Sequence, residues 1–293
     1  MAEYHYGGQA VIEGVMIRGR RHMAVAVRKP NGEIALHSET LKGKFYTSPI
    51  MRLPFFRGIG MLGDTLALGI RTLMYSADVA LGEEDVEFSG PIAWGTIAVS
   101  FAIGIGLFFV LPLALVNFLD RYITSALVSN IVEGVIRLGI FLLYVWLIGF
   151  MPDIKRVFAY HGAEHKTVNA YEAGVPLTPE DVQKHNTAHT RCGTAFLLSV
   201  VVISIFVFAF FGRPSWPVRY ASRIVLLPVI AAIGYEWLRF TANHQSTRWV
   251  AWLSAPGLLL QRLTTRQPDD SMVEVAITAL RSTLEGDAQP ENP

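Results

Sequence analysis

His161, Glu164 and His165 stand as H-x-x-E-H inside the stretch Tyr160–Tyr171, YHGAEHKTVNAY. On a helix, positions 161 and 165 lie one turn apart on the same face, with 164 beside them. Two neutral imidazoles on one face suit a divalent metal, zinc above all, and a neighbouring carboxylate can orient or deprotonate water. The same letters occur in the inverted zincin signature, which counts only in the right structural context. The plainer alternative is a polar, water-facing helix end.

A catalytic zinc takes about three protein ligands and keeps a position open, whereas a structural one takes about four. His189, Cys192 and Glu236 are the groups that would complete either set. With His189 or Glu236 as the third ligand, Glu164 is left as general base. Adding Cys192 would close the site. Against these readings, His189 also fits a hydrogen-bonded loop histidine. Cys192 fits a small buried residue at a helix start, and Glu236 fits a carboxylate snorkelling to an interface or paired with Arg239.

The elements that must position these groups are mostly apolar. From Ile92 to Phe118 there is no charged residue, enough to cross a bilayer. A second apolar segment ends near Met151, with Glu133 and Arg137 spaced to pair on one helix face near its start. Thr194–Phe211 and Ile224–Leu238 give a third and a fourth span. Basic residues concentrate before the first span and in the 152–194 loop, which places that loop and both termini in the cytoplasm. Arg213, Arg219 and Arg223, in the short third loop, run against that rule.

Before the spans, Pro30-Asn31-Gly32 is a turn signal between His22–Arg28 and Glu33–Leu41, and it predicts a β-hairpin. Gln9–Arg18 has strand-like spacing, punctuated by Gly7, Gly8, Gly14 and Gly19, with Glu13 and Arg18 as solvent-facing positions or a buried pair. Between Leu53 and Leu81 a greasy helix carries Arg57, Asp64, Arg71 and Asp78 at intervals of seven, close to one line. A solvated stripe on a surface or bundle-packed helix is the expectation. After the fourth span come a short amphipathic segment following Pro256-Gly257 and a helix from Ser271 to about Leu284, opened by a capping box with Glu274.

Composition agrees with a membrane protein. The chain has 293 residues, of which 52% are hydrophobic and 17% charged, below the quarter of charged residues usual in soluble domains. Net charge is +1, so bulk basicity does not argue for nucleic acid. Cys192 is the only cysteine, which excludes an intrachain disulfide. MAEYHYGGQAVIEG lacks the basic and apolar regions of a cleavable signal peptide.

Four stretches together carry a resemblance: GGQAVIEGVMIRG at 7–19, YHGAEHKTVNAYE at 160–172, H-x-R-C-G at 189–193 and PGLLLQRLTTRQP at 256–268. In that order they are similar to the YqhQ-like family of bacterial membrane proteins, catalogued under a domain of unknown function. The resemblance implies a polytopic membrane protein described as a predicted metal-dependent enzyme. By motif it implicates His161, Glu164, His165, His189, Arg191 and Cys192, with Gly7, Gly8 and Glu13 in the first stretch.

The expected fold is mainly α: a polytopic helical membrane protein of about four transmembrane helices with a small N-terminal β-rich cytosolic region and C-terminal amphipathic helices. Its parts are a β-rich region at 1–48, an amphipathic or membrane-surface helix at 49–91 and a transmembrane domain at 92–240. Amphipathic helices at 241–285 and a disordered tail at 286–293 follow. The expected activity is that of a zinc-dependent hydrolase at the cytoplasmic face of the plasma membrane. Glu164 is its base, and the metal is drawn from His161, His165, His189, Glu236 and Cys192. Gly7, Gly8, Glu13, Arg18 and Arg191 contact substrate or partner. The expected partners are the bilayer and a membrane protein, with no nucleic acid. The alternative is a non-catalytic scaffold with a structural metal or polar site.

Overall fold

The computed structural model describes residues 6–41, 53–82, 91–244 and 247–289. It opens with a four-stranded antiparallel meander: β1 (Gly7–Val11), β2 (Gly14–Arg18), β3 (His22–Arg28) and β4 (Ile34–Thr40), in the order β1-β2-β3-β4. The expected hairpin is there, with Arg28 opposite Ile34 across Pro30-Asn31-Gly32, and Gly32 supplies the positive φ the turn requires. Gln9–Arg18 is two strands rather than one. Val11 pairs with Gly14, so Ile12 and Glu13 form a two-residue turn, and Glu13 takes a φ of 51°.

Both faces of this sheet are covered. Side chains alternate along a strand. In β3, Met23, Val25 and Val27 face a core shared with Leu68 on helix α1 (Phe56–Leu81). Ala26 of β3, with Val15 and Ile17 of β2, faces a second core against helices α5 (Pro152–Glu172) and α11 (Asp270–Ala288). Burial on two sides explains why His22–Arg28 reads as an almost continuous apolar run.

The charges on α1 are partly exposed, Arg71 at 63%, and each of three has an opposite charge beside it. Arg57 pairs with Glu236, Asp64 with Arg18, and Arg71 with Glu39. A spacing of seven sets them along one line, and that line is where the sheet and a later helix bring opposite charges. At the other end of the chain, α11 runs beyond Leu284 to Ala288. Asp287, expected to lie in a disordered tail, accepts from the backbone N–H groups of Arg20, Arg21 and His22. Three amide donors converging on one carboxylate hold the β2–β3 turn to the end of α11.

The apolar part contains α2 (Pro91–Ile105), a π-helical turn at Gly106–Val110, α3 (Leu111–Leu119) and α4 (Ala126–Ile148). These make two helices long and apolar enough to cross a membrane, Trp94–Leu119 and Ala126–Ile148. A third exists only if α8 (Trp216–Val225) and α9 (Leu227–Asn243), bent by 40° at Leu226, count together. The expected four spans are thereby corrected to two or three. Helix α7 (Gly193–Ala209) is apolar but has 17 residues, about 25 Å at 1.5 Å per residue, short of a 30 Å hydrocarbon core. These helices point to membrane association. Between α5 and α7 lies the one-turn α6 (Pro179–Val182), and α10 (Arg248–Thr264) runs unbroken through Pro256 where a separate short segment was expected.

Candidate metal and acid-base site

Helix α5 carries the H-x-x-E-H stretch, as its spacing predicts, but that face is buried rather than water-facing. Glu164 is 3% and His165 1% exposed. The side chains are fixed by neighbours from three other segments. His161 Nδ1 lies 2.8 Å from the Thr264 carbonyl oxygen at the end of α10, and His165 Nδ1 lies 2.6 Å from the Thr187 carbonyl oxygen. A carbonyl only accepts, so each Nδ1 carries the proton, and in the neutral rings each Nε2 presents a lone pair. A backbone carbonyl holding the far nitrogen is the usual way a protein orients a metal-binding histidine.

The two rings and the Cys192 sulfur come together in one place. The His161 and His165 rings lie 4.3 Å apart, and Cys192 Sγ lies 3.2 Å from His161 Nε2. One nitrogen from each histidine and the Cys192 sulfur all lie within 4.8 Å of one another. A tetrahedral zinc with bonds of about 2.0–2.3 Å sets its ligands roughly 3.5 Å apart, so a small adjustment suffices. Cys192 also caps α7: Thr194 N–H donates to Sγ at 3.4 Å, and Thr194 Oγ1 lies 3.0 Å away.

Glu164 completes the arrangement. Its Oε1 accepts from Gly8 N–H at 3.0 Å, while Oε2 lies 3.4 Å from His165 Nε2. These two polar atoms face each other in a buried space, where a shared proton or a cation between them would satisfy both. Gly8 has no substitute there, because a Cβ would stand 2.0 Å from the Met16 carbonyl oxygen of the paired strand.

The loop that supplies Thr187 is pinned by α5. Lys166 Nζ, buried, donates to the carbonyls of Gln183 and His185, and burial lowers its pKa. Asn169 donates to the carbonyls of Asn186 and Ala188. Gln261 of α10 embraces His189: its Oε1 accepts from the His189 N–H and its Nε2 donates to the His189 carbonyl, both at 2.8 Å. Gly162 lets the chain after α10 lie against α5, where Arg266 N–H donates to the Phe158 carbonyl. Lys166, Asn169, Gln261 and the Thr187 and Thr264 carbonyls carried no chemical signature in the sequence, because each acts on backbone.

The remaining candidates fall around or away from this centre. The His189 ring lies 5.7 Å from that of His165, and its Nε2 faces Glu172 at 3.6 Å, outside the three-donor group. Arg191 pairs with the same Glu172. Glu236 is engaged by Arg57 on α1 and by the N–H of Phe55 just before it, and lies outside the group formed by His161, His165 and Cys192. Glu13 binds Arg156 through both carboxylate oxygens at 2.5 Å and accepts from Tyr160 Oη at 3.3 Å. Burial, and then the Glu13 charge, push the Tyr160 phenol well above its usual range. Arg18 pairs with Asp64, and a Cβ on Gly7 would meet nothing within 4 Å.

The four stretches at 7–19, 160–172, 189–193 and 256–268 thus surround one centre. Gly8, His161, Glu164, His165, Cys192 and Thr264 come from all four. The model of the family described as "Protein of unknown function (DUF1385)" matches residues 53–286. The chain belongs to that family. It is 35% identical over 301 residues to the "Uncharacterized protein YqhQ" of Bacillus subtilis (strain 168), covering 98% of this chain and 94% of that one. No solved structure matches the chain.

Proposed function

We propose that this protein is a metal-dependent hydrolase whose site lies where the apolar helices meet the sheet, with zinc held by His161, His165 and Cys192. One observation carries the reading: one ring nitrogen from each of His161 and His165 and the Cys192 sulfur lie within 4.8 Å of one another, while both rings are oriented by a backbone carbonyl at Nδ1. Two imidazoles and a thiolate are a zinc donor set, and three protein donors leave a position open. Zinc there would act as a Lewis acid towards a carbonyl or ester oxygen. Glu164 is the base: the Gly8 amide holds Oε1, so Oε2 is the oxygen free to take a proton from water. The substrate is an amide or ester of a membrane molecule. The site and both termini face the cytoplasm of a bacterial cell in this reading, supported by the distribution of Lys and Arg.

Elemental analysis of detergent-purified protein tests the metal. About one zinc per chain is expected in the wild type and in Glu164→Gln, and next to none in His165→Ala. Metal-free wild-type protein overturns the proposal. Cleavage of ester- or amide-linked membrane lipids by the wild type and not by metal-replete Glu164→Gln tests the chemistry. A second reading, a scaffold with a structural metal, is favoured by Cys192 doubling as a helix cap. X-ray absorption separates the two: one sulfur, two nitrogens and one light solvent ligand support the enzyme, whereas four protein ligands support the scaffold.

A further inference from the structure

The site does not end at His161. A cavity of about 620 Å³ runs from His161, Thr194 and Thr264 into the apolar helices, where Arg137, Ser204 and Arg223 line it. Between these polar ends its wall is Phe109, Phe141, Tyr144, Leu197, Val201 and Phe208. The volume is in the range of about 300–1,000 Å³ typical of sites for one small ligand.

The arginine end carries a charge imbalance. Arg137 and Arg223 are 3% and 0% exposed, and both bind Glu133, itself 1% exposed. Arg219 bridges Glu133 and Asp120, and Asp120 also binds Arg213. Among the described residues the ion pairs of these four arginines all go to two carboxylates; with Arg213 31% exposed, the buried groups, Arg137, Arg219 and Arg223 against Glu133 and Asp120, keep an excess of one positive charge. Unbalanced charge is costly there, and intramembrane arginines ordinarily face a partner or a polar cavity. Here the two most buried guanidiniums border an otherwise apolar chamber.

We infer that this cavity binds a long-chain anionic amphiphile, its carboxylate or phosphate against Arg137 and Arg223 and its chain along the aromatic wall towards His161. The anion offsets the excess charge, and the chain replaces lipid or water against the ring faces. Binding stands on the cavity and its charges alone; only hydrolysis of such a ligand rests on the function proposed above.

The test uses full-length protein in a neutral detergent with radiolabelled palmitate, lysophosphatidate and palmityl alcohol as probes. Saturable binding of about one palmitate or lysophosphatidate per chain is expected, at least tenfold tighter than the alcohol, and the tighter of the two acids identifies the anionic group. Arg223→Gln should collapse the preference for acid over alcohol towards unity. Because Arg223 also supports the fold, Val201→Phe serves as a second variant: it fills the chamber, leaves the ion pairs intact and should abolish binding of acid and alcohol alike. Equal affinity for acid and alcohol in the wild type, no saturable binding, or unchanged binding by a folded Val201→Phe would each overturn the inference. His165→Ala should bind palmitate as the wild type does, so loss of metal or turnover in that variant bears on the hydrolase reading alone.

Discussion

Two buried polar clusters face one cavity and are built in opposite ways. Around His165 the groups are mostly acceptors, two imidazole nitrogens, a sulfur and a carboxylate; both ring Nδ1 groups face backbone carbonyls, and the Gly8 and Thr194 N–H groups donate to Glu164 and Cys192. Around Glu133 the groups are donors, three buried guanidiniums converging on one carboxylate. The first is short of a cation and the second short of an anion. The difference also divides their tasks. Glu133 holds α4 to α8, so it is required for folding, whereas Glu164 joins β1 to α5 by a single amide and can change chemistry without undoing the core.

Replacing each carboxylate is the sharpest way to break this contrast. Glu133→Ala leaves buried Arg137 and Arg223 without a carboxylate and should cost about 3–5 kcal/mol, read as loss of monodisperse protein and a collapsed Tm. Glu164→Gln keeps an acceptor for the Gly8 N–H and should melt close to the wild type. Equal damage from the two would mean that both clusters are structural.

A smaller effect is expected at the rim of the histidine cluster. Gln261→Ala leaves the buried His189 N–H without its acceptor and its carbonyl with only the longer bond from the Cys192 N–H, and should cost about 1–3 kcal/mol, measured by thermal melting. If the cluster is preorganised by its loop, the same variant should also weaken metal retention.

The smallest effect concerns pH. The folded pKa of Tyr160 is raised by burial and by Glu13, so its contribution to stability is complete below the unfolded value of about 10. That contribution falls as pH rises from there through the folded value. Tyr160→Phe should flatten the alkaline limb of a Tm-against-pH curve; an unchanged limb would show that the phenol does not titrate with unfolding.

Much of this was legible in the chain. The H-x-x-E-H helix, the hairpin at Pro30-Asn31-Gly32 and the pairing of Glu133 with Arg137 are local, set by spacings of three, four and two residues that backbone geometry turns into contacts. Other features were misread for want of their partners. Arg219 and Arg223 looked like loop charges but are buried against a helix some 90 residues earlier. Helix α7 looked like a span because apolarity alone does not report that its 17 residues fall short.

The sequence by itself determined the apolar helices that point to membrane association, the small N-terminal β region and the placing of His161, Glu164 and His165 together on one helix, because composition and short-range periodicity express these directly. Only the tertiary structure decided that Cys192 rather than Glu236 lies beside the two histidines, that the Gly8 amide anchors Glu164, and that Arg223 joins Arg137 at Glu133 beside a cavity. Those contacts span from about 30 to more than 150 positions along the chain. Hydrogen bonds and ion pairs act over a few ångströms, so such partners are fixed only when packing closes that distance.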